Sequence, residues 1–141
     1  TPQHELRYLN ALVDTDDPQL FAHALDLART EVRTQNAPYL MRRAIEHPTL
    51  GPQAWRVVSS HWDELTGRFP SNSLPRLLEG IRGTTDDGTA TAIAEFLDAH
   101  PTPSGERQVA QHLERMWVTV AAARRCRATL ADTPVALAQI R

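Results

Sequence analysis

Apolar side chains recur along this chain at spacings of three and four residues, the period of a helix with one buried face. The clearest stripe consists of Trp55, Val58, Trp62, Leu65 and Phe69. Further stripes contain Phe21, Ala24, Leu25 and Ala28, then Leu40, Met41, Ala44 and Ile45, then Leu74, Leu77, Leu78 and Ile81, then Ile93, Phe96 and Leu97, and finally Val109, Leu113, Met116, Trp117 and Val120. No segment shows the sustained two-residue alternation that is typical of a strand. The pattern therefore predicts an all-α protein.

Prolines mark where the helices begin, because proline fits the first helical turn, where its missing N–H is not needed. A residue with an N-capping side chain directly precedes four of them, in Thr1-Pro2, Asp17-Pro18, Thr102-Pro103 and Thr133-Pro134. Stripes and caps together predict seven helices, with an eighth, short one at the C-terminus. The last long helix is expected from about Pro103 to Leu130.

The predicted loops are only a few residues long, so consecutive helices should be antiparallel neighbours. Helix pairs open near Thr1, Asn36 and Ser71, which is a repeat of about 35 residues. This spacing predicts one helical domain over residues 1–141, built as a HEAT- or armadillo-like superhelical array of stacked pairs. A compact helical bundle is the alternative architecture.

Composition narrows the function classes. The chain has 141 residues, a formal net charge of −2 and one cysteine, which suits one globular domain without a disulfide scaffold or a CxxC zinc module. No apolar run approaches the length of a membrane span. Nucleic-acid binding needs a basic surface, yet only Arg124, Arg125 and Arg127 cluster. We therefore expect neither a membrane nor a nucleic acid as partner.

The chain contains no lysine and much alanine, a usage typical of a GC-rich bacterial genome. It begins at Thr1 rather than methionine and has no signal-like apolar segment. We expect a piece of a longer polypeptide, located in the cytoplasm.

Catalytic motifs are missing or incomplete. His4-Glu5-Leu6-Arg7-Tyr8 differs by one residue from H-E-x-x-H, in which two histidines four apart ligate zinc. Tyr8 occupies the second ligand position, so this site cannot form. Cys126 lies among arginines that could lower its thiol pKa, but no base or oxyanion site accompanies it. We predict no catalytic, metal-binding or cofactor-binding residue in the chain.

Several segments, taken in order, resemble the C-terminal helical domain of the aminopeptidase N family of zinc metallopeptidases, which includes the puromycin-sensitive and endoplasmic-reticulum aminopeptidases. The segments are EVRTQNAP (31–38), the helix ending at His47-Pro48, AWRVVSSHWDEL (54–65), LLEGI (77–81), EFLDAHP (95–101) and GERQVAQHLER (105–115). The resemblance extends over nearly the whole chain.

The resemblance implies a parent enzyme that removes N-terminal residues from peptides with one zinc, held by a catalytic domain outside this chain. It implies that the helical domain is non-catalytic, that it covers the peptide chamber, and that its partners are the catalytic domain and the peptide. Within that frame, Arg42 and Arg43 are the candidates to face the peptide and attract its C-terminal carboxylate.

Two other interpretations stay open at this point. The chain could be a free-standing helical-repeat scaffold that binds a partner protein, or the ligand domain of a transcription regulator. Because an interrupted array exposes the face that preceding helices covered, we also expect the helix with Leu6, Leu9 and Leu12 to present an apolar outer surface. The isolated chain would then self-associate through it.

Overall fold

The computed structural model describes residues 1–132, and these residues form α-helices, short 3-10 segments and loops, without a strand. The prediction of an all-α protein is confirmed. The α-helices are α1 (Pro2–Val13), α2 (Pro18–Thr30), α3 (Ala37–Ile45), α4 (Gly51–Ser60), α5 (Trp62–Arg68), α6 (Leu74–Leu78), α7 (Asp87–Ala99) and α8 (Glu106–Ala131). Two 3-10 helices, Ser71–Ser73 and Glu79–Gly83, flank α6.

Local capping explains where the helices begin. The Thr1 hydroxyl accepts from the backbone N–H of His4, and the Asp17 carboxylate accepts from the N–H groups of Gln19 and Leu20, in each case just before a proline. Asp86 caps α7 in the same way, accepting from the N–H of Thr89 at 2.7 Å. These side chains bind N–H groups that lack a partner within the helix.

The helices stack in two rows. In the first row, α1 contacts α3, α3 contacts α6, and α6 contacts α8; in the second row, α2 contacts α4 and α4 contacts α7. Consecutive helices also contact each other across the rows, as in α1 with α2 and α3 with α4. This order is the one expected of stacked helix pairs. The superhelical, HEAT-like course of the array stays a prediction.

The stripe from Trp55 to Phe69 forms two helices rather than one. All five of its side chains are buried, as the period predicts, but α4 ends at Ser60 and α5 begins at Trp62. Around the break, the Ser59 hydroxyl donates to the Arg56 carbonyl and the His61 ring nitrogen Nδ1 lies 2.9 Å from the Val57 carbonyl oxygen. Side chains that bond to the preceding turn compete with the helix.

The start of α8 was predicted wrongly. The helix begins at Glu106 rather than near Pro103, because Gly105 before it has a left-handed backbone with φ 72°. A side chain there would also collide with the ring of Pro75. Thr102-Pro103 therefore forms a loop that brings α8 against α6. The short helix predicted after Thr133-Pro134 lies outside the described residues.

The expectation of an apolar outer face on α1 is wrong. Leu9 is buried, and Leu6 and Leu12 pack partly buried against the core. The stripe points inward because α2 and α3 both contact α1 and supply the apolar neighbours. Tyr8 is the one large apolar side chain of α1 that stands exposed. Self-association through the three leucines loses its structural basis.

None of the helices in the described part of the chain combines the length and the apolar character that a bilayer crossing requires.

Candidate functional site

Ion pairs join the helices of the first row on their exposed side. Arg43 on α3 binds Asp14, the residue that ends α1, through two hydrogen bonds of 2.7 and 2.6 Å. These bonds lower the pKa of the Asp14 carboxyl and raise the pKa of the Arg43 guanidinium, with burial opposing both shifts. The pair therefore stays ionised over the physiological range.

Arg42, the next candidate from the sequence, is bound by two other carboxylates. Its Nε donates to Glu46 at 3.1 Å, and its guanidinium forms an ion pair with Glu79 in the adjoining 3-10 helix at 3.3 Å. The structure thus places Arg42 and Arg43 on the partly exposed side of α3, each beside a different acidic partner. Their predicted contact with a peptide stays a prediction.

Further along the row, Arg82 and His112 join the second 3-10 helix to α8. The Nε–H of Arg82 donates to Nδ1 of His112 at 2.8 Å, and Nε2 of His112 lies 2.9 Å from the carbonyl oxygen of Pro75. Arginine can only donate, so Nδ1 must accept and the proton of the neutral ring sits on Nε2. Burial lowers the pKa of His112, and the charge of Arg82 lowers it further. The imidazole therefore stays neutral and holds Arg82 in place.

An open groove of about 400 Å³ lies beside this contact, between the second 3-10 helix and α8. Its lining residues are Arg82, Gln111, Glu114, Arg115 and Val118. Among residues 1–132, neither arginine forms an ion pair with a carboxylate, although Glu114 lines the same groove. Two guanidinium groups at one groove, opposed by a single carboxylate that forms no ion pair with either, favour an anionic ligand. No local pattern reveals this site, because Arg82 is about thirty positions away from the four lining residues on α8, whose helical spacing is that of any exposed helix face.

The histidines and the cysteine do not form a metal site. Within residues 1–132 there is no group of three or more His, Cys, Asp or Glu side chains that could hold a metal ion. The buried His47 has a structural role: its Nδ1 accepts from the N–H of Leu50 at 3.0 Å, and its Nε2 lies 2.9 Å from the Thr15 carbonyl oxygen. Cys126 is exposed on the last turns of α8.

Residues 1–116 match the family model described as the ERAP1-like C-terminal domain. The chain belongs to this family. This confirms the resemblance to the C-terminal helical domain of the aminopeptidase N family.

A relative supports the same family. The chain is 29% identical over 123 residues to Aminopeptidase M1-B of Oryza sativa subsp. japonica. The aligned region covers 83% of this chain but 14% of the rice protein, so the chain spans about one seventh of the length of that relative.

Proposed function

We propose that this chain is the non-catalytic C-terminal helical domain of a zinc-dependent aminopeptidase, and that it shapes and covers the chamber in which peptides are held. The family match over residues 1–116 carries this proposal. The two stacked rows of helices support it, because an array of this kind offers a broad surface against which a peptide or a second domain can lie.

The chemistry of peptide hydrolysis would belong to another part of the parent polypeptide. A catalytic zinc takes three protein ligands, commonly histidine and glutamate, and the described residues offer no such set. At the near-match in α1, Tyr8 takes the position of the second histidine and is 65% exposed. The side chains of residues 1–132 do not fit the metal, and we assign them no step in hydrolysis. As part of the same proposal, the parent enzyme is bacterial and cytoplasmic.

We further propose that the exposed side of the first row faces the chamber and that Arg42 and Arg43 contribute to its electrostatic potential. Both are partly exposed, with side-chain exposures of 35% and 51%. Each arginine is already bound to a carboxylate of this chain. It would therefore act on a peptide through the electrostatic potential at the surface, or by exchanging its present carboxylate for one of the peptide, rather than as a free cation.

The proposal is tested by assaying the parent enzyme with and without this domain on a series of peptides of increasing length. If the domain covers the chamber, its removal should relax the preference for peptide length, while hydrolysis of a single-residue amide substrate changes little. An unchanged length profile would contradict the proposal. The chain alone, supplied with zinc, should give no turnover above a zinc-only control; turnover would contradict its assignment as non-catalytic.

A further inference from the structure

The groove between the second 3-10 helix and α8 combines a fixed guanidinium group with an adjustable one. Arg82 is half-buried, and its Nε–H is held by the neutral ring of His112. The remaining N–H groups of this guanidinium stay available, since arginine has five donors in a planar fork. Arg115 lies on the exposed side of α8 and lines the same groove. The N–H donors of Arg82 are therefore held in position before a ligand binds, which reduces the conformational entropy lost on binding.

The other lining residues indicate what kind of molecule carries the anionic group. The side-chain amide of Gln111 has no hydrogen-bond partner among the described residues, and it can both donate to and accept from a peptide group. Val118 is 56% exposed and offers an apolar contact. Glu114 places a negative charge at the same groove and disfavours a ligand with several adjacent charges.

We propose that this groove binds the side-chain carboxylate of a single aspartate or glutamate in an extended peptide. Arg82 and Arg115 bind the carboxylate, Gln111 pairs with a neighbouring peptide group, and Val118 contacts a neighbouring apolar side chain. The inference deepens the proposed function and rests on it in one respect: the peptide is a substrate held in the chamber. Peptides with one internal acidic residue are then a preferred class.

The groove is tested without any catalysis, by NMR titration of the full 141-residue chain. The probe is a pentapeptide with blocked ends and one central glutamate, compared with the same peptide carrying glutamine. We expect saturable shifts of the backbone amides of Arg82, Gln111, Arg115 and Val118. The glutamine peptide should bind about tenfold more weakly or worse, since hydrogen bonds between charged groups are lost.

A third probe distinguishes the source of the carboxylate. It is the glutamine peptide with a free C-terminus, whose only carboxylate is at the chain end. Binding as tight as that of the blocked glutamate peptide would overturn the assignment to an acidic side chain. Equal binding of all three peptides, or no binding, would overturn the carboxylate site itself.

Variants separate the groove from general attraction to a basic helix. Arg115→Gln should weaken binding of the glutamate peptide by about tenfold, whereas Arg107→Gln, an equal charge change on an exposed turn of the same helix, should leave it unchanged. Equal losses in both variants would overturn the proposal. Arg82→Lys, which keeps the charge but loses the planar fork, should also weaken binding; unchanged binding would contradict the role of the fixed guanidinium.

The NMR titration tests carboxylate binding in the groove, and the length assay tests whether the domain covers the chamber, so either can fail while the other succeeds. Glutamate-selective binding together with an unchanged length profile would support the carboxylate site and contradict the proposal that the domain covers the chamber. A relaxed length profile without glutamate-selective binding would support coverage of the chamber and contradict the carboxylate site.

Discussion

Arg82 fixes the tautomer of His112. Its Nε–H points to Nδ1 of the imidazole at 2.8 Å, so the single ring proton lies on Nε2 and points to the Pro75 carbonyl oxygen. A protonated ring would lose the Arg82 hydrogen bond and place two cations in contact. Burial and this neighbouring charge are the reasons why the pKa of His112 is lowered.

Acid should destabilise the chain through His112. The pKa of this group is lower in the folded chain than the ordinary value of 6.5, so the unfolded chain takes up a proton first as the pH falls. The contribution of His112 to the free energy of unfolding is complete above the ordinary pKa of 6.5. It declines as the pH falls below 6.5 and stops changing once the pH is below the pKa in the folded chain. Denaturant unfolding at pH 7.5, 6.5 and 5.5 should show a free energy of unfolding that decreases on acidification.

The variant His112→Gln isolates this effect. Glutamine can still donate and accept but does not titrate, so the slope between pH 6.5 and 5.5 should become shallower, while stability at pH 7.5 falls by about 1–3 kcal/mol. His23→Gln changes an exposed histidine of α2 and should retain the slope of the parent chain. If His112→Gln retains the full slope, the assignment to His112 is wrong.

Two glycines should respond to alanine in opposite directions. Gly105 has a φ of 72°, and its added methyl group would meet the Pro75 ring, so Gly105→Ala should cost more than about 1 kcal/mol. Gly67 lies in α5 with nothing within 4 Å of an added methyl group, and Gly67→Ala should stabilise by about 0.5–1 kcal/mol. Thermal unfolding of the two variants checks this. A stabilising Gly105→Ala would exclude the left-handed turn before α8.

The sequence predicted those features that neighbouring residues determine. Thr1 and Asp17 cap helices through hydrogen bonds that span three residues or fewer, and the apolar period follows from the geometry of one helix. The contact between Arg82 and His112 joins positions 30 apart. Only the packing of α8 against the second 3-10 helix brings them together, so no local pattern reveals it. The break at His61 was missed because no proline or glycine marks it.

The pair of Asp14 and Arg43 should contribute modestly to stability. Both side chains are about half exposed, and solvent screening limits such pairs to about 0.2–1 kcal/mol, toward the upper end where the geometry is bidentate. Since the pKa of Asp14 is lowered, this contribution is present above the ordinary value of 3.8 and lost as the pH falls through the folded pKa. A double-mutant cycle with Asp14→Asn and Arg43→Gln at pH 7 and pH 2.5 measures it. A coupling energy at pH 2.5 equal to that at pH 7 would contradict an ionic origin.

The guanidinium of Arg68 closes the C-terminal end of α2. It donates to the carbonyl oxygens of Ala28 at 3.0 Å and Val32 at 2.5 Å, from the far end of α5. These acceptors lie in the last turn and just beyond it, where carbonyl groups lack helical partners and the helix dipole is negative. Arg68→Met keeps much of the aliphatic stem but removes every donor. We expect a loss of about 1–3 kcal/mol in the free energy of unfolding.

The matched control for Arg68 is Arg56→Met, which removes an exposed arginine of the neighbouring helix α4. That change should stay within about 0.5 kcal/mol of the parent chain. Amide hydrogen exchange gives a second readout, because Arg68→Met should increase exchange specifically in the last turn of α2, whereas Arg56→Met should not. If both variants unfold alike and the last turn of α2 stays protected from exchange, the carbonyl groups there do not depend on Arg68. Packing of α2 against its neighbouring helices would then be sufficient to hold that end.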